Sequence, residues 1–183
     1  QMVLADMKLA GTIPTDVVLF NIDSKSEVNG KQSKVAIVSV LQNVFNEMQG
    51  FSGSNPFLAD LERKLTEEGK YDLFKEKFED SFGSTWEESR SDFDFIQDDV
   101  VEVLDEIDFM SVEAGRNWCE KATGEYAYKV EDFARLVKKY LDKKESNHHI
   151  VFLIDEIGQY IGDDSKLMLN LQTVTEDLGT ACG

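Results

Sequence analysis

Residues 150 to 160 read Ile150-Val151-Phe152-Leu153-Ile154-Asp155-Glu156-Ile157-Gly158-Gln159-Tyr160, an apolar run that ends in two adjacent carboxylates. Such a run fits a strand of a parallel sheet, and with sheet or helix on both sides it would be buried along its length. Ligands of open α/β sheets bind outside the carboxyl ends of the strands, which is where Asp155 and Glu156 would stand. A second short strand, Val17-Val18-Leu19-Phe20-Asn21-Ile22-Asp23, follows Pro14 and Asp16.

Between the two strands the sequence is helical. Ile37, Leu41, Val44, Phe45 and Met48 recur at helical spacing up to Gly50. Asn55 is a fitting N-cap, and Pro56 then takes the first helical position, where its missing N–H costs nothing. Leu58, Leu61 and Leu65 form that helix's apolar face, and Gly69 marks its end. Phe74, Phe78, Phe82 and Trp86 are spaced by four, which predicts one helix broken or bent near Gly83. Phe93, Ile96, Val100, Val103, Leu104 and Ile107 give the best amphipathic register of the chain. Ser111 can cap a helix containing Trp118 and Cys119 that stops at Gly124, and Val130, Phe133, Val137 and Leu141 belong to another stripe. After Tyr160 a turn leads into a last helix carrying Leu167, Leu171, Val174 and Leu178, with its stop at Gly179.

A strand-helix-strand crossover needs only a few tens of residues, so the excess reads as an inserted helical subdomain. The fold class is therefore α/β, with parallel strands near 17–22 and 150–155 and a large acidic α-helical insertion. Residues 1–50 form the first part of the α/β core, 51–145 the insertion, and 146–183 the second strand with its following helix.

The formal net charge is 19 − 36 = −17, and residues 60–110 alone hold 18 acidic and 6 basic side chains, a local balance of −12. A field of that sign repels phosphate backbones, so direct nucleic-acid contact is not expected from this region. An acidic balance also serves plain solubility, and the run Asp98, Asp99, Glu102, Asp105, Glu106 and Asp108 fits a solvated helix face or a dock for a basic partner. Cys119 and Cys182 are too few for a disulfide scaffold. With no basic-then-apolar leader and no apolar run of about 20 residues, no membrane association is expected and the cytoplasm is the simplest compartment. His148 and His149 read as a solvated lead-in to the second strand.

Two neighbouring acids at the tip of a stiff strand suit a division of labour in nucleotide hydrolysis. Asp155 would orient a water of a Mg²⁺ shell, because magnesium keeps several waters and takes few protein carboxylates. Glu156 would accept a hydrogen bond from the attacking water and align it. The plain alternative is a strand that reaches the surface and ends in charged residues. A phosphate-binding loop of the form Gly-x-x-x-x-Gly-Lys-Ser/Thr is missing: Lys25 to Gln32 lacks the first glycine and puts Gln32 where the hydroxyl belongs, so Asn29-Gly30 reads as a turn. The sequence therefore reads as an interior slice of a longer protein, and the isolated piece is expected to hold neither ATP nor Mg²⁺ by itself.

Residues 149–179, above all Asp155-Glu156-Ile157-Gly158-Gln159-Tyr160-Ile161-Gly162 and Leu169-Asn170-Leu171-Gln172, resemble the Walker B region of the large P-loop, AAA+-like ATPase of BREX (bacteriophage exclusion) systems. The resemblance implies a partial P-loop ATPase core acting in bacterial anti-phage defence, with ATP and Mg²⁺ as cofactors. Asp155 takes the Mg²⁺-associated role and Glu156 the water-activating one, while Gln159 and Tyr160 stand where they could relay the state of the pair to another subunit. Partners would be other subunits or domains of the same ATPase, or other phage-defence proteins. The strand order of such ATPases implies an exposed edge on the 150–154 strand, with dimerisation, strand exchange or helix rearrangement over it. The competing reading is a non-catalytic acidic interaction domain or DNA-mimicking scaffold.

Overall fold

A computed structural model of the chain describes residues 2–22 and 34–182. In chain order the elements are α1 (Met2–Ala10), β1 (Thr15–Asn21), α2 (Lys34–Met48), α3 (Pro56–Glu67), α4 (Tyr71–Phe82), α5 (Trp86–Ser89), a 3-10 segment (Arg90–Phe95), α6 (Gln97–Glu106), α7 (Val112–Ala122), α8 (Val130–Leu141), β2 (His149–Asp155), α9 (Ile157–Ile161) and α10 (Ser165–Cys182). They form two compact units: Gln1–Phe45 with Tyr128–Gly183, and Asn46–Ala127. The segment from Lys25 to Gln32, with its Asn29-Gly30 turn, lies outside the described residues.

In the first unit β1 and β2 pair in parallel as a two-stranded sheet, with Val17 opposite Val151, Leu19 opposite Leu153 and Asn21 opposite Asp155. One face is covered. Val18 and Phe20 are buried there, and the Phe152 ring lies 6.4 Å from Phe45 of α2 and 6.2 Å from Phe133 of α8, in tilted and edge-on arrangements. The other face is open: Val17, Leu19, Val151 and Leu153 are all exposed. The expectation of a strand buried along its length is thus corrected. Period-two alternation sends every second side chain to the exposed side, although those side chains are as apolar as their neighbours.

At the amino ends of the strands Asp16 gathers three partners. Its Oδ2 accepts from the Tyr140 hydroxyl at 2.6 Å, pairs with His148 Nε2 at 2.7 Å, and lies 4.0 Å from the Lys144 ammonium. The Tyr140 hydrogen bond, with His148 and Lys144 acting in the same direction against burial, holds the Asp16 carboxyl below its ordinary range. His148 is therefore not a solvated lead-in. Its side chain is largely covered and ties the approach to β2 onto β1, while His149 opens the strand with its N–H donating to the Pro14 carbonyl at 2.9 Å.

The second unit is wholly helical, and its local signals are explicit. Asn55 caps α3 by accepting from the N–H groups of Phe57 and Leu58, with Pro56 in the first turn. Gly83 ends α4 in a left-handed conformation at φ 75°, which is where the sequence suggests a break. Thr85 and Glu88 form a reciprocal capping box on α5, and Ser111 caps α7. Leu58, Leu61, Leu65, Phe74, Phe78, Trp86, Val100 and Leu104 make the core. α6 and α7 approach closely: a Cβ on Gly115 would come within 3.2 Å of both Val101 methyl carbons. The register read from Phe93 to Ile107 is split in the structure, because the chain follows a 3-10 path over 90–95 before α6 begins, and this turns Phe95 into solvent.

One carboxylate organises that unit. Glu62, fully buried on α3, accepts from the Ser52 N–H (2.5 Å), the Trp86 indole (2.7 Å), Arg90 Nη1 (2.8 Å) and the Tyr71 hydroxyl (3.1 Å). Burial, reinforced by this carboxylate, pushes the Tyr71 phenol well above its usual range. Four donors satisfy an acceptor that would otherwise be costly to bury.

Replacing Glu62 by Ala strands those donors and is expected to cost about 3 kcal/mol or more, with Glu62→Gln costing less because its carbonyl still accepts. Urea unfolding followed by tryptophan fluorescence checks the order. Asp16 gives a pH prediction. A carboxyl whose folded pKa lies below its unfolded value of about 3.9 contributes stability that is present above that value and lost as pH falls through the folded one. Asp16→Asn should therefore lower stability at neutral pH and flatten the acid limb of the urea midpoint measured from neutral to strongly acidic pH.

Candidate functional site

The parallel pairing brings the carboxyl ends of β1 and β2 side by side, so the edge is built by Asn21, Asp155 and Glu156. Both acids are exposed. Asp155 is the last residue of β2 and belongs to the uncovered face; its Oδ1 accepts from the Glu156 N–H at 2.9 Å. Glu156 leaves the strand in the left-handed region at φ 58°, a conformation that costs a non-glycine residue about 1 kcal/mol or more. That turn starts α9 at once, and the Glu156 carbonyl accepts from the N–H groups of Gln159 and Tyr160.

The turn also aims the Glu156 side chain sideways across the sheet. Its Oε2 accepts from the Asn21 side-chain amide at 2.5 Å, a contact between residues 135 apart in sequence. The described geometry thus holds the second acid on the neighbouring strand, where an amide donor occupies one of its acceptor sites. Gln159 is exposed on α9 and Tyr160 half-buried. The structure places the pair Asp155 and Glu156 together, sets Gln159 and Tyr160 one turn further on, and adds Asn21, which in the sequence is only part of a strand. An amide at the last position of a strand paired with an Asp-Glu strand end is the signal that could have found it.

Set against the chemistry of a magnesium nucleotide, the described residues supply an anionic edge and no more. Among them no group of three or more His, Cys, Asp or Glu side chains could hold a metal ion. Asp155 alone fits an ion that is held mostly through its own waters. A backbone cradle for phosphates is not part of the described edge, so no chemical step through a nucleotide follows from it. Burial pushes the Cys119 thiol up to about 11 and raises that of Cys182 as well, so neither thiol is activated by its surroundings. An open hollow of about 480 Å³ lies along α8 beside Asp132, Arg135, Leu136, Lys138, Lys139 and Asp142. Arg135 there is paired with Asp132 and Lys138 with Asp142, which leaves their charges largely offset.

No family model matches the chain, and no solved structure matches it. Among the described residues no helix is long and apolar enough to cross a membrane.

The left-handed turn yields a test free of side-chain chemistry. Glu156→Gly and Glu156→Ala both remove the carboxylate and its bond to Asn21, but only glycine relieves the backbone. The glycine variant should be the more stable by about 1 kcal/mol in denaturant titration. Equal stabilities would show that the turn relaxes when Glu156 is replaced.

Proposed function

We propose that the two units divide the work: Asn46–Ala127 is a non-catalytic, acidic protein-interaction domain, and the unit holding the parallel strands contributes the carboxylate edge of a nucleotide-hydrolysing module. The first part has the broader support. Residues 46–127 hold 8 basic and 22 acidic side chains, a balance of −14 out of the chain's −17. The observation that carries it is Phe95, 90% exposed at the end of the 3-10 segment. Asp94 precedes it, and Asp98, Glu102 and Asp105 follow as an exposed stripe on α6. An aromatic anchor ringed by one sign of charge suits a partner that is basic and presents an apolar pocket.

The second part rests on Asn21, Asp155 and Glu156 at the carboxyl ends of two parallel strands, and on the likeness of residues 149–179 to the Walker B region of anti-phage BREX ATPases. On this reading Asp155 serves a water of the magnesium shell and Glu156 serves the attacking water once it leaves Asn21. It requires a glycine-rich phosphate loop from elsewhere in the native protein or from a partner subunit.

Each part has its own test. Titration of the chain with a lysine-rich amphipathic peptide should show binding that weakens as salt rises and is lost on Phe95→Ala or on neutralising Asp98, Glu102 and Asp105 together; binding indifferent to both changes rejects the interaction surface. For the second part, Glu156→Gln in the native protein should abolish ATP turnover while nucleotide binding persists. Unchanged turnover removes Glu156 from the reaction.

A further inference from the structure

We draw no further inference here: the strongest candidate, the open face of the two-stranded sheet where Val17, Leu19, Val151 and Leu153 stand exposed, carries none, because nothing in the structure shows what covers it.

Discussion

The parallel pairing of β1 with β2 is the interaction on which the rest of the α/β unit depends. It is what makes neighbours of Asn21 and Glu156, and it turns two apolar strands into a sheet with one packed and one open face. The packed face owes its stability to aromatic side chains from three elements. Phe45, Phe133 and Phe152 meet at centroid separations of 5.9 to 6.4 Å, with Tyr140 edge-on to Phe45 at 5.4 Å. Tyr140 also reaches Asp16, so one residue joins the hydrophobic layer to the polar knot at the foot of the strands.

Acidic side chains play two opposed parts in this protein. Most are solvated, and their number sets the field that any partner meets. Glu62, buried, and Asp16, partly exposed, serve instead as acceptors around which other groups are ordered: an indole, a guanidinium, a phenol and a backbone N–H around the first, a phenol, an imidazole and an ammonium near the second. Net charge says nothing about which carboxylates belong to which class. Burial and the directions of nearby donors decide it.

The elements with strong local chemistry were legible in the sequence. Asn55-Pro56, Gly83 and Ser111 each act within a turn of themselves, and each does in the structure what its type implies. The last helix runs to Cys182, past the stop read at Gly179, because one glycine in a helix costs only about 1 kcal/mol and α10 continues through it. α1 had no reading at all, since apolar residues around most of a short helix leave no periodicity to find. The half-exposure of the 150–154 strand was hidden for a related reason: both of its faces are apolar, so composition could not tell the covered one from the open one. Of the candidate site, the acid pair was visible as a local pattern. The contact of Asn21 with Glu156, and that of Asp16 with His148, join residues more than 130 apart and exist only once the strands pair.

That separation has a kinetic consequence. Joining β1 to β2 closes a loop that contains the entire helical unit, and long-range parallel pairing is intrinsically slow because the entropy of closure comes before the contacts that reward it. The helices of Asn46–Ala127 rest on local contacts and can collapse within their own span. On a ribosome they emerge between the two strands, so β1 waits with its apolar side chains unsheltered until His149–Asp155 has been synthesised. For that interval the nascent chain is a natural client for chaperones that bind extended apolar segments.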